Sequence, residues 1–384
     1  MTDREYDVVL FGATGFTGGL TAEYLAAHAP AGTRWAIAGR SPEKLEAVRA
    51  RLGGDVATLV ADAGDPASLA RVAESTKVVA TTVGPYIRYG EPLVAACAAA
   101  GTDYVDLTGE PEFVDTMYLR HHETAVASGA RLVHACGFDS IPHDLGAQFC
   151  VEQLPEGVPL RVRGFVAAGG LFSGGTFDSA TTAMARARQT FAAARQRKER
   201  EGRPSGRKVH GETKPGYDKA LGKFVVPMPT IDPQIVLRSA ASLERYGPDF
   251  TYGHYAAVKN PLMVVGGVAG IAALVAASQI PPLRRKLVEM RPPGTGPSEA
   301  QRAKAWFTVT FHGEGGGKNV VTKVSGGDPG YGETAKMLAE SALCLALDEL
   351  TPTAGQVTTA TAMGATLRER LVRAGMRFEV VSGG

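Results

Sequence analysis

The chain has 384 residues, with 44% hydrophobic and 21% charged side chains and 41 Lys and Arg against 39 Asp and Glu. That near balance of charge offers no whole-chain case for nucleic-acid binding, and the length predicts two domains with a large buried core. The four cysteines, Cys97, Cys136, Cys150 and Cys344, show no CxxC or Cys/His spacing and sit in apolar contexts. They read as buried thiols of a reducing, cytoplasmic compartment, and the MTDREYD start lacks the apolar core of a secretory signal.

Val8 to Phe11 form an unbroken apolar run, as a strand buried on both faces of a parallel sheet requires. The run breaks into Gly12, Ala13, Thr14, Gly15, Phe16, Thr17 and Gly18, and a helical pattern opens behind them. Strand, GxxGxxG turn and helix in that order make a dinucleotide cradle. Glycine permits positive φ and close approach of backbone to a diphosphate, and the helix start offers free N–H groups to the anion. An ordinary glycine-rich strand-to-helix turn is the plain alternative.

The second strand, Arg34 to Gly39, ends in Arg40 and Ser41, where an NAD-binding unit would carry a carboxylate for the ribose 2′-hydroxyl. A carboxylate would repel a 2′-phosphate, whereas Arg40 and Ser41, with Lys44 one turn on, can bind it. NADP(H) is therefore the expected cofactor, the alternative being that Arg40 is a solvated strand end. The third strand, Ala57 to Ala61, stops at Asp62, a candidate for the adenine end or for a helix cap.

The fourth strand, Lys77 to Val83, runs into Gly84, Pro85, Tyr86, Arg88 and Tyr89 at the carboxyl edge, where doubly wound sheets place ligands. Val83 and Gly84 would let the nicotinamide come close, and Pro85 would fix the turn. Tyr86 and Tyr89 are candidate proton donors, or else rings packed between domains. Strands at Tyr104 to Asp106 and Arg131 to His134 follow, the latter entering CGFDSIPHD at 136–144. Six strands alternating with helices complete a doubly wound parallel sheet.

GATGFTG, AGRS, TTVGPY, DYVDLTGE and CGFDSIPHDLG, with GYGETAKMLAESALCLA near the C-terminus, together resemble the saccharopine dehydrogenase-like oxidoreductases. Within that group the chain is most similar to the trans-acting enoyl reductases of actinobacteria. The resemblance implies an α/β protein. An NADP-binding Rossmann domain over 1–144 would carry an inserted α+β domain over 145–330, and C-terminal helices over 331–384 would return to the first. It also implies reduction of a lipid or polyketide-derived small molecule. His143 departs from relatives that often carry a small residue there, so the resemblance assigns it no catalytic role.

In the second domain, Arg161 to Ala168 reads as a strand leading to a Gly-rich turn at 169–176, and Phe177 to Arg200 as a long helix with a basic end. The basic run is a solvated face or meets an acidic carrier protein or anionic lipid. Trp306 to Phe311 and Asn319 to Val324 alternate as an antiparallel hairpin, so the second sheet is expected to be mostly antiparallel. Leu262 to Ile280 holds no charge and lies between Lys259 and Arg284, Arg285 and Lys286. Its length reaches that of a membrane span, yet glycine, alanine, Ser278 and Gln279 dilute it. A helix lying on the cytoplasmic face of the plasma membrane is the preferred reading; a buried interdomain or homodimer helix and a true span are the alternatives.

The eight histidines show no metal-ligand spacing, so no metal is expected, and no GxSxG elbow is present. Tyr255 to Lys259 spells YxxxK but lies far downstream of the cradle. Hydride chemistry asks the protein to orient a cofactor, exclude water and place a proton donor. Tyr86, Tyr89 and Asp139 are the donor candidates, with His143 a further one, although Asp139 and Asp144 also suit capping and turn closure. Three functions fit. One is NADPH-dependent reduction of a double bond or carbonyl at a membrane. The second is a saccharopine-type amino-acid dehydrogenase, which needs arginines around its cleft. The third is a non-catalytic NADP-binding sensor or scaffold.

Overall fold

The computed structural model describes residues 4–169, 185–202, 206–218, 221–258, 260, 266, 270 and 296–383. The uncharged run 262–280, apart from Gly266 and Gly270, and the glycine-rich turn at 170–176 lie outside them. Among the described residues no helix is long and apolar enough to cross a membrane.

The first half of the chain alternates strand and helix. Strands β1 (Tyr6–Phe11), β2 (Trp35–Gly39), β3 (Ala57–Val60), β4 (Thr76–Thr81), β5 (Asp103–Asp106) and β6 (Arg131–Val133) are separated by helices. These are α1 (Phe16–His28), α2 (Pro42–Arg51), α3 (Pro66–Ser75), α4 (Tyr86–Tyr89), α5 (Glu91–Ala100) and α6 (Pro111–Ser128). Helix starts follow capping chemistry: Ser41 and Asp65 cap α2 and α3, each followed by proline at the first helical position. β1 pairs in parallel with β2 on one side and β4 on the other, and Val8, Val9 and Leu10 are fully buried. Each such side chain gains about 1.5–3 kcal/mol on leaving water, which is why an unbroken apolar run becomes the central strand.

Helix α7 (Ile141–Glu152) leaves the edge of this sheet and lies on a second one. That sheet is built from β7 (Leu160–Gly169), β8 (Lys208–Glu212), β9 (Gly216–Asp218), β10 (Lys223–Pro227), β11 (Asp249–Val258), β12 (Trp306–Gly315) and β13 (Lys318–Gly326). Helices α8 (Ala187–Glu201) and α9 (Asp232–Ser242) interrupt it. The β12–β13 hairpin closes at Gly316 and Gly317, both at positive φ, so its turn is two residues rather than the longer glycine stretch the sequence suggests. A Cβ on Gly146 of α7 would lie 2.4 Å from the Phe311 ring of β12. Helix and sheet therefore meet backbone to ring, and Val8, Leu145, Phe250, Phe311 and Val324 belong to one continuous core.

The C-terminal segment returns as α10 (Gly332–Leu347), which packs on α1, β1, β4 and β5, and continues through α11 (Thr359–Ala362) and α12 (Gly364–Arg373). It also supplies two strands that the sequence pattern does not reveal. β14 (Gly355–Val357) joins the first sheet and β15 (Arg377–Gly383) the second. The first sheet is thus seven-stranded and parallel, in the order β14-β6-β5-β4-β1-β2-β3. The second runs β15-β13-β12-β7-β11-β10-β9, with β8 also on β11. It is mostly antiparallel, as expected, with parallel pairing of β11 to β7 and β8.

Candidate active site

The turn after β1 is set by steric necessity. Gly12 has φ of 96°, and a Cβ there would meet Val83 Cγ2 at 2.7 Å and Thr82 Oγ1 at 2.8 Å. Gly15 precedes α1 without a side-chain cap, its own N–H bonded to the Gly12 carbonyl at 3.0 Å. The N–H groups of Phe16, Thr17 and Gly18 thus open the helix with no side-chain acceptor, an arrangement that fits the diphosphate of a dinucleotide. Ala13 is buried and Thr14 exposed beside them. The Phe16 ring is engaged from the second sheet's side, by Tyr331 at 4.9 Å and by the Arg302 guanidinium at 5.7 Å. Thr82, absent from the expected residues, donates to the Gly12 carbonyl at 3.2 Å and ties the end of β4 to the cradle.

At the end of β2, Arg40 and Lys44 are exposed, with no ion-pair partner among the described residues. Ser41 is the N-cap of α2. Its hydroxyl accepts from the Lys44 N–H at 3.3 Å and donates to Glu43 at 2.9 Å, so it is committed to capping α2. Asp62 accepts the Gly64 N–H at 2.8 Å in a turn, and Asp65 is the residue that caps α3.

Beyond β4 the loops of three neighbouring strands interlock. The Tyr86 and Ile87 N–H groups donate to Glu110 at 3.0 and 2.9 Å. The Tyr86 hydroxyl donates to the Thr81 carbonyl and accepts the Leu107 N–H, both at 3.1 Å. Buried beside Asp106, that phenol is held well above its usual pKa, by desolvation first. Tyr86 therefore braces the Val83-Gly84-Pro85 loop, and its proton is not presented to the cleft. Tyr89 is 46% exposed at the loop's outer face.

Asp106, at the end of β5, accepts from the Ala135 N–H at 2.9 Å and contacts His134 Nδ1 at 2.7 Å, which fixes the exit of β6. The Phe138 N–H donates to Thr334 of α10 at 3.2 Å. Asp139 follows, its carboxyl over Gly109, where a Cβ would lie 3.0 Å from Oδ2. The carboxyl has no hydrogen-bond partner among the described residues, and desolvation alone raises its pKa from 3.8 to about 6. Asp144 is structural, accepting from Thr359 Oγ1 at 2.6 Å and the Ala360 N–H at 2.8 Å.

A cavity of about 500 Å³ adjoins the Tyr86 loop, lined among others by Arg88, Phe113, Met117 and Arg186. Two of its arginines are neutralised, Arg120 by Glu91 and Arg186 by Glu112 at 2.6 Å. Tyr255 of the YxxxK string is buried in the second sheet, and Lys259 lies outside the described residues. His121 and His122 are partly buried, the first 3.3 Å from Glu91 and the second accepting the Gln356 N–H at 3.0 Å. The absence of metal-ligand spacing in the sequence does not carry over to space. His143, Asp232 and His254 converge in the interior.

Comparison with known proteins places this geometry. The saccharopine dehydrogenase NADP binding domain matches residues 8–133. Rv2449c of Mycobacterium tuberculosis H37Rv, provisionally named a trans-acting enoyl reductase, is 41% identical over 98% of both chains. A trans-acting enoyl reductase of the same strain is 39% identical, and one of Mycobacterium ulcerans 36%, each over 97% of both chains. The chain belongs to the trans-acting enoyl reductase family. Apo saccharopine dehydrogenase (L-Glu forming) of Saccharomyces cerevisiae shares the fold, with a TM-score of 0.58 at 13% identity over 98% of this chain and 99% of that one. As a member of the enoyl reductase family with this NADP-binding domain, the protein is an NAD(P)-dependent oxidoreductase and its cofactor is NADP(H).

Proposed function

We propose that the protein reduces the α,β-double bond of lipid or polyketide-derived intermediates, working in trans on substrates assembled elsewhere, with Asp139 as proton donor. The reading is carried by its likeness, over nearly the full length of both chains, to proteins named trans-acting enoyl reductases. When bound, NADPH supplies the hydride. The uncapped start of α1 holds the diphosphate, and Arg40 with Lys44 receives the 2′-phosphate through charge-assisted contacts. Thr82 and the braced Gly84 loop position the nicotinamide end at the carboxyl edge of β4. Asp139, on the loop after β6 at the same edge, is partly protonated near neutral pH and gives its proton to the substrate's α-carbon. The paired state of Arg120 and Arg186 weighs against a cleft built to bind amino-acid carboxylates.

The uncharged run at 262–280, followed by Arg284, Arg285 and Lys286, supports collection of apolar substrate at an anionic membrane surface. The test is NADPH oxidation at 340 nm with long-chain 2-enoyl thioesters, with the saturated product identified by mass spectrometry. Turnover with NADPH, and little with NADH, is expected. Binding of NADPH without turnover of enoyl or ketoacyl thioesters would overturn the assignment.

A further inference from the structure

His143 stands in the first turn of α7, Asp232 opens α9 and His254 lies in β11, so three elements remote in sequence meet at one point. Their ligand atoms lie within 4.8 Å of one another. His143 Nε2 is 3.3 Å from Asp232 Oδ1, and His254 Nε2 is 3.5 Å from Asp232 Oδ2. The two imidazole rings stand perpendicular, with centroids 4.8 Å apart. All three residues are at most 3% exposed.

Close approach has not produced hydrogen bonds. Asp232 Oδ1, His143 Nδ1 and His254 Nε2 are all buried without a hydrogen-bond partner. Each unsatisfied group of this kind costs about 1–3 kcal/mol, and two of the three, Asp232 Oδ1 and His254 Nε2, face the cluster, where His143 presents Nε2. Burial favours the neutral form of both imidazoles and of the Asp232 carboxyl, so a cation bound there displaces the carboxyl proton. A cation between the three residues accepts His143 Nε2, His254 Nε2 and the carboxylate at once.

The surroundings are built to orient such ligands. The Tyr252 hydroxyl contacts His254 Nδ1 at 3.1 Å, which leaves Nε2 as the nitrogen facing Asp232. A partner on the far ring nitrogen is the usual support of a metal-bound histidine. The separations of 3.3 and 3.5 Å, each to a different oxygen of Asp232, are of the size of a tetrahedral ligand edge, roughly 3.4 Å for ligands about 2.1 Å from the ion. Imidazole nitrogens with one carboxylate favour zinc-class ions over magnesium or calcium, which take oxygen ligands.

We propose that His143, Asp232 and His254 bind one divalent transition-metal ion of the zinc class, with the remaining position taken by water. The ion ties α7 to α9 and β11 and gives Asp232 Oδ1 and His254 Nε2 the partner they lack. Full-length protein is loaded with Zn²⁺ or Co²⁺, desalted, and assayed for metal content and for visible Co²⁺ absorption. NADPH binding and circular dichroism serve as fold controls.

About one equivalent of Zn²⁺ and a tetrahedral Co²⁺ spectrum are expected. Asp232→Asn and His254→Gln are expected to weaken Zn²⁺ at least tenfold, and Tyr252→Phe, which keeps all three ligands, by roughly tenfold. Wild type that retains less than about a tenth of an equivalent of either ion overturns the proposal, as does Asp232→Asn that binds like wild type. If the two ligand variants do not fold, Tyr252→Phe decides: unchanged Zn²⁺ affinity rejects the site.

Discussion

Gly18 faces the Gly12 carbonyl so closely that a Cβ on Gly18 would lie 2.1 Å from that oxygen. The start of α1 can therefore sit over the end of β1 only while residue 18 lacks a side chain. Gly18→Ala must push the helix outward, at a cost of about 1–3 kcal/mol, and move its N–H groups away from the diphosphate. A melting temperature several degrees lower is expected, with NADPH affinity at least tenfold weaker by titration calorimetry. Unchanged affinity in a folded variant would show that these N–H groups do not hold the cofactor.

Arg40→Gln should alter cofactor preference without altering the fold, because Arg40 is exposed and has no ion-pair partner among the described residues. Loss of a charge-assisted contact to the 2′-phosphate is worth about 1.5–3 kcal/mol, roughly a tenfold to hundredfold fall in kcat/KM with NADPH. The value with NADH should stay within about twofold, since NADH carries no 2′-phosphate. Equal losses with both cofactors would place Arg40 elsewhere in the site.

Asp139→Asn separates catalysis from stability. Its carboxyl is raised from 3.8 to about 6, so the folded protein holds this proton more tightly than the unfolded chain does. Stability from this group is fully present below about pH 4 and is lost as pH rises through 6. The asparagine variant should abolish that slope and be more stable than wild type at pH 8 by about 1–3 kcal/mol, read from urea melts. Its enoyl reduction should fall about 10²–10⁴-fold, and wild-type kcat should decline above pH 6. The measurement uses metal-depleted protein, because Asp139 lies near enough to Asp232 to act on its charge, so a cation there would draw the Asp139 midpoint down.

Tyr86→Phe tests a brace rather than a donor. The change leaves the Leu107 N–H without its acceptor, which costs about 1–3 kcal/mol. Chemical denaturation should register that loss, while kcat for the folded fraction stays within about threefold of wild type. A hundredfold fall in kcat with stability intact would restore Tyr86 as the proton donor.

Asp115 holds the buried Arg197 at 3.4 Å and the partly buried Arg238, and accepts from Gln234 at 2.8 Å, so α6, α8 and α9 share one carboxylate. Asp115→Ala leaves both guanidiniums without that charge and should cost about 3–5 kcal/mol, with no effect on cofactor preference in whatever fraction folds. Thermal melts and NADPH-to-NADH ratios measured together check both halves.

What could be read from residues in sequence was local. The β1 run and the Gly12, Gly15, Gly18 spacing were legible because strand, turn and helix are contiguous and glycine is demanded by backbone geometry there. The place of Arg40 was legible in the same way, as the exposed residue that follows β2. Hydrogen-bond partners were not legible: a phenol or hydroxyl near a cleft looks available until they are known. Thr81, Leu107 and Glu110 claim Tyr86, while Glu43 and the Lys44 N–H claim Ser41.

The sequence by itself determined the parallel sheet and the glycine turn after β1, because each rests on short-range pattern, and it pointed to NADP(H), which the NADP-binding domain match bears out. Only the tertiary structure decided which strands the C-terminus adds to each sheet, which side chains are spent on bracing, and that His143, Asp232 and His254 share one buried point. Those outcomes depend on burial and on contacts between residues far apart in the chain, and periodicity along a sequence carries neither.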